Sequence, residues 1–146
     1  MKHLLPLLLL LLTLLPQITN AAKKIEANPI NIAAQLVEKT DSAKVASTLE
    51  YYGYVSQGTE DGYQIMRTPN GNEIWFSFTE ATSTNKYPTI VVKTRVTTKS
   101  IDAILKELDF EKSGNGCEKM KNAHSKFKTK CNFGSNNTLI FRRIKN

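Results

Sequence analysis

Cys117 and Cys131 are the only cysteines of the chain, and His124 is its only histidine apart from His3. Thiols and imidazoles supply most nucleophilic, redox and metal chemistry near neutral pH, so these positions bound what the chain can do. Two thiols and one imidazole fall short of a tetrahedral zinc site, and no metal is expected. His124 stands in the polar, turn-like run Asn122-Ala123-His124-Ser125. A single imidazole excludes two-histidine acid–base chemistry. With Lys126 or Lys128 stabilising a developing oxyanion it could still cleave a phosphodiester.

Other catalytic patterns fail on spacing. Tyr54-Val55-Ser56-Gln57-Gly58 keeps the second glycine of a nucleophile elbow but has Tyr54 where the first must stand. Glu60 and Asp61 are adjacent, and neighbours on a strand or turn point apart, so they form no carboxylate pair by themselves. Asp61-Gly62 reads instead as a turn. Gly114-Asn115-Gly116 lacks the third glycine and the strand-to-helix setting of a phosphate loop, and no run has the alternating oxygen ligands of a calcium loop. Neither a catalytic residue nor a cofactor is expected, and a binding role is favoured over an enzyme.

Lys2 and His3 precede a leucine-rich run through Leu15. That run is too short for the roughly 30 Å hydrocarbon layer and reads as a signal peptide over 1–21, with Thr19 and Ala21 as the small residues before the cleavage point. The mature protein is therefore expected to be exported, either periplasmic or secreted. In that setting an even cysteine count favours a Cys117–Cys131 disulfide, worth about 3 kcal/mol for a loop of this length.

The formal net charge is +7, and the excess is local: nine Lys or Arg residues, but only Glu118 among the acids, fall in 112–146. Strand alternation puts Lys126, Lys128 and Lys130 on one face and an antiparallel partner adds Arg142. Lys119, Lys121, Arg143 and Lys145 lie nearby in sequence. Such a surface attracts acidic proteins, anionic polymers or membranes. Nucleic acid is disfavoured by export and because Phe127 and Phe141 point away from the cations, leaving no stacking platform.

These side chains need elements to hold them. Residues 22–40 form a loose N-terminal segment with a short helix from Asn31, capped by that residue, whose stripe is Ile32, Ala33, Leu36 and Val37. A single α+β domain follows over 41–146. Its first helix starts at Asp41 or Ser42, buries Val45, Leu49 and Tyr52, and stops at Gly53. Alternation then predicts strands around Tyr63–Ile65, Ile74–Phe78 and Ile90–Val96, the first two joined by a two-residue Asn70-Gly71 hairpin. A second helix capped by Ser100 buries Ile101, Ile104, Leu105 and Leu108. Two strands around 126–131 and 139–144 complete an antiparallel sheet with helices packed on one face. A constant offset of 56 residues aligns Val45, Leu49, Tyr54 and Gly58 with Ile101, Leu105, Phe110 and Gly114. The reading is of two helix-plus-meander pseudo-repeats, 41–99 and 100–146.

Leu49, Gly53-Tyr54, Asp61-Gly62, Asn70-Gly71, Phe76, Phe78 and Pro88-Thr89-Ile90-Val91-Val92 carry a partial resemblance, over about 41–99, to the YbjN family of bacterial sensory-transduction regulators. The resemblance implies a fold like that of type III secretion chaperones and a non-catalytic protein-binding role. It does not extend to the basic end and brings no catalytic residues.

The expectation is thus an exported binding protein that docks on a protein partner and restrains it, in the manner of an inhibitor or toxin-immunity protein. Its binding residues would be Lys126, Lys128, Lys130, Arg142, Trp75 and Tyr51. One alternative is binding of an anionic polymer or membrane surface through the basic sheet face. Another is a small secreted hydrolase using His124.

Overall fold

The computed structural model describes residues 28–120 and 124–146; the leader lies outside them. The first helix, α1 (Pro29–Leu36), begins two residues before the predicted start. Proline suits the first helical position because its fixed φ is already helical and no N–H is lost there. Asn28, rather than Asn31, is the cap, its side chain accepting from the Ile30 N–H at 2.9 Å. Helix α2 (Ser42–Tyr51) is capped by Asp41, which accepts from the Ala43 N–H at 2.9 Å. Helix α3 (Thr98–Glu107) is capped by Thr97, and the predicted cap Ser100 supplies the N–H that Thr97 accepts.

The strands are β1 (Val55–Glu60), β2 (Tyr63–Arg67), β3 (Glu73–Ser77), β4 (Thr89–Lys93), β5 (Glu111–Ser113), β6 (Gly116–Met120), β7 (Phe127–Phe133) and β8 (Thr138–Lys145). They form one sheet in the order β1-β2-β3-β4-β8-β7-β6-β5, every pair antiparallel. Two four-strand meanders, β1–β4 after α1 and α2 and β5–β8 after α3, meet where β4 joins β8 at the centre. The architecture is α+β.

Three of these strands escape the sequence pattern. All six residues of β1 are exposed, so there is no inward set for alternation to reveal. Strand β5 has only three residues, and β6 follows it after a two-residue turn. Tight two-residue hairpins also sit elsewhere than predicted, at Gly114-Asn115 and at Asp61-Gly62. Asp61 and Gly62, at φ +51° and +80°, join β1 to β2. Asn70-Gly71 lies in a longer loop closed by bonds from the Thr68 N–H to the Asn72 carbonyl and from the Gly71 N–H to the Thr68 carbonyl.

Alternation divides the sheet. One set of residues, including Ile74, Phe76, Ile90, Val92, Cys131, Leu139 and Phe141, joins the helix residues Ile30, Leu36, Val45, Leu49, Ile101 and Leu105 in a single core cluster. We call this the inner face. The outer face carries Trp75, Val91, Ile140, Lys128, Lys130 and Arg142, all half-buried. Both sheet edges resist further pairing. β1 is bulged between Ser56 and Thr59, and β5 is short with charged Glu111 and Lys112.

Candidate functional site

The outer face is built by register. Ile65, Trp75, Val91 and Ile140 are successive cross-strand neighbours on β2, β3, β4 and β8. An apolar row therefore crosses the middle of the sheet. Beside it runs a charged row of Arg67, Glu73 and Lys93. On the C-terminal half, Arg142, Lys130 and Glu118 are likewise consecutive neighbours on β8, β7 and β6.

Trp75 is held in place. Its indole N–H donates to Glu73, and Lys93 Nζ stands 3.7 Å from the ring centroid. Tyr63 packs at 6.3 Å between centroids. Arg67 donates to Glu73 Oε2 from Nε at 2.9 Å and from Nη2 at 2.6 Å, while Lys93 reaches Oε1 at 3.4 Å. Burial alone would push the Glu73 carboxyl up. The hydrogen bonds from Arg67 and Trp75, with the charges of Lys93 and Arg67, outweigh it and hold the group below the ordinary carboxylate range.

The basic end is more divided than its sequence implies. Lys128, Lys130 and Arg142 do share the outer face, and Lys126 is exposed just ahead of β7. Carboxylates sit among them: Lys128 pairs with Glu118 at 3.1 Å and Arg142 with Glu80 at 3.6 Å. The bond from Lys128, with its charge and that of Lys130, keeps Glu118 low despite partial desolvation, and Ser113 adds a further hydrogen bond.

Lys119 and Arg143 belong to the other face. Thr129, which pairs with both in register, is buried. Lys119 Nζ donates to the Leu108 carbonyl at 2.7 Å, just past α3. Arg143 Nη1 donates to Glu38 Oε1 at 3.1 Å and to Thr129 Oγ1 at 3.3 Å, with the rings of Tyr87 and Phe127 beside its guanidinium. Sequence proximity counted them with the outer cations; odd positions on these strands turn them inward. Lys121 lies outside the described residues.

The expected disulfide is absent: Cys117 and Cys131 are free and buried. They face each other across β6 and β7, so the strand prediction brought them together correctly. The Phe133 N–H donates to the Asn115 carbonyl at 3.4 Å. Two residues along the same ladder, that phase makes the cysteines a hydrogen-bonded pair, in which facing side chains stand farther apart than in the alternating non-hydrogen-bonded pairs. A disulfide needs Cβ atoms about 3.8 Å apart. Burial, with Cys117 beside it, pushes the Cys131 thiol up to about 12, and burial also raises Cys117. Both remain protonated.

The remaining predicted residues are dispersed. Tyr51 is exposed at the end of α2, edge-on to Tyr52 at 5.2 Å, and belongs to no cluster with Trp75. Tyr54 is buried, its hydroxyl has no partner among the described residues, and burial raises it to about 12. His124 is exposed in the turn before β7. Ser56 lies inside an edge strand, not on the strand-to-helix turn that an elbow requires. Among the described residues no three His, Cys, Asp or Glu side chains gather to hold a metal ion. Sequence reading missed the Ile65–Ile140 row. Its signal was available in Val91 between Ile90 and Val92, and in Ile140 between Leu139 and Phe141, where apolar residues occupy both faces of a strand.

No known protein-family model matches the chain, and neither a curated protein nor a solved structure does.

Proposed function

We propose that this chain is an exported, non-catalytic binding protein that docks through its outer sheet face on a protein partner and restrains it. The observation that carries the reading is the fixed indole of Trp75, half-buried in a row with Val91 and Ile140 and flanked by ion-paired side chains. Protein interfaces concentrate their energy in immobilised aromatic anchors with a polar rim, because little side-chain entropy remains to be lost on binding. The resemblance of 41–99 to YbjN-like regulators points the same way. The partner implied has an apolar projection to cover Trp75, Val91 and Ile140, with carboxylates opposite Arg67 and Lys93. Capture from the native exported fraction tests this. A partner retained by the wild-type chain and lost from Trp75→Ala supports it; equal retention by both overturns it.

The second reading, an anionic polymer or membrane surface, draws on Lys126 and Lys130, which enter no ion pair within 4.0 Å among the described residues. Salt-sensitive heparin retention that is lost on reversing Lys126, Lys128 and Lys130, yet survives Trp75→Ala, would favour it.

A further inference from the structure

A cavity of about 600 Å³ opens between α3 and the β5–β6 hairpin, on the side of the sheet away from Trp75. Its size lies within the range of small-molecule sites, roughly 300–1,000 Å³. Leu105, Phe110 and Cys117 give it an apolar floor, and all three are buried. Charges of both signs line the walls: Asp102 and Lys106 from α3, and Lys112 from β5. Asp109 and Glu111 belong to the same lining.

The arrangement of these charges is informative. Asp102 and Lys112 are opposite in sign and line one cavity, yet no ion pair within 4.0 Å joins them among the described residues. Lys112 is the direct cross-strand partner of Cys117. Burial raises the Cys117 thiol, Asp102 raises it further and Lys112 draws it back, so both charges lie within electrostatic reach of one sulfur. An anion and a cation thus border one apolar floor, with Lys106, Asp109 and Glu111 in the same lining. A ligand bridging Asp102 and Lys112 needs its own ammonium and carboxylate close together, with an apolar body beside them.

We propose that this cavity binds a free α-amino acid with a large apolar side chain, its ammonium toward Asp102, its carboxylate toward Lys112 and its side chain over Leu105 and Phe110. Free amino acids and peptide ends share this chemistry, and the dipeptide arm of the test below separates them. In a free amino acid both charges flank one carbon, whereas in a peptide they stand a chain length apart.

The test uses the purified chain and L-phenylalanine, with N-acetylphenylalanine, phenylalaninamide and diphenylalanine as comparison ligands. Amide chemical shifts over 102–117 are followed through the titration. Free phenylalanine should give saturable shifts centred on these residues. Each blocked form and the dipeptide should bind at least tenfold more weakly. Asp102→Asn and Lys112→Met should each weaken the free amino acid by at least tenfold. The blocked ligands test the charge requirement on the unaltered chain, whatever the variants do to folding. Absence of saturable binding, saturable shifts confined to residues outside the cavity, or equal binding of a blocked form overturns the proposal. None of these results bears on docking through the Trp75 face.

Discussion

Lys93 Nζ lies 3.7 Å from the centre of the Trp75 ring, and Glu73 receives both the ammonium and the indole N–H. One carboxylate thereby fixes the aromatic residue and the cation above it. A ring clamped this way has little freedom left to lose when covered. Trp75→Ala should therefore weaken docking by about 2 kcal/mol or more, the scale of an interface hot spot, roughly a thirtyfold rise in Kd. Titration calorimetry with the captured partner measures it. Because the ring is only half-buried, the melting temperature should fall far less than for a core aromatic.

Glu73 should also give the fold an acid-sensitive limb. Its carboxyl is held low in the folded chain, since the Arg67 and Trp75 bonds and the Lys93 charge outweigh burial. The unfolded chain thus binds this proton more readily than the folded one. The stabilisation is present above the ordinary glutamate range near pH 4 and is lost as pH falls through the lower folded value. Glu73→Gln should cost about 1–3 kcal/mol at pH 7, the scale of hydrogen bonds to a charged group, and less at pH 2. Urea unfolding across this interval tests the difference. A variant with the same acid slope as wild type would refute the assignment.

Gly53 and Asp109 occupy the same step of two matching turns. Each follows a helix, at φ +85° and +63° respectively. The N–H groups of Gly53 and Asp109 donate to Glu50 and Lys106, and those of Tyr54 and Phe110 to Leu49 and Leu105. Left-handed backbone is free of steric penalty only for glycine. Asp109→Gly should raise stability by about 0.5–1 kcal/mol, whereas Gly53→Ala should lower it by a similar amount. Thermal unfolding of the two variants should shift in opposite directions.

The same turns show how much of this fold can be read from sequence. Helical periodicity located α2 and α3 with the turns that end them, and strand alternation added the α+β class; the offset of 56 residues only pairs apolar positions that every helix-to-strand turn must provide. Strand alternation also placed Lys128, Lys130 and Arg142 opposite Phe141. What stayed hidden was set by distant partners. Nothing local marks β1, because an exposed edge strand has no buried set. The ladder phase that keeps Cys117 and Cys131 apart depends on where β6 meets β7. Glu80 and Glu118, which pair with Arg142 and Lys128, stand 62 and 10 residues from them in the chain. A basic run in sequence therefore overstates the positive surface it makes.

Arg143 supplies the sharpest test of that distinction. By composition it is one more cation of the basic end; by structure it is a core tether. Its side chain is only 10% exposed, and it reaches Glu38 just beyond α1 while lying between β7 and the loop carrying Tyr87. The Asn85 side chain holds its backbone carbonyl at 3.0 Å. Removing the guanidinium leaves Glu38 unpaired and opens space beside two aromatic rings. Arg143→Ala should cost about 2–4 kcal/mol, combining a lost semi-buried ion pair with lost packing of the side-chain stem. Arg143→Met, which keeps most of that packing, should recover part of the loss. Lys126→Ala, at an exposed position in the same basic segment, should stay within about 0.5 kcal/mol of wild type. Equal losses from Arg143→Ala and Lys126→Ala in urea unfolding would show that Arg143 does not fasten α1 to the sheet.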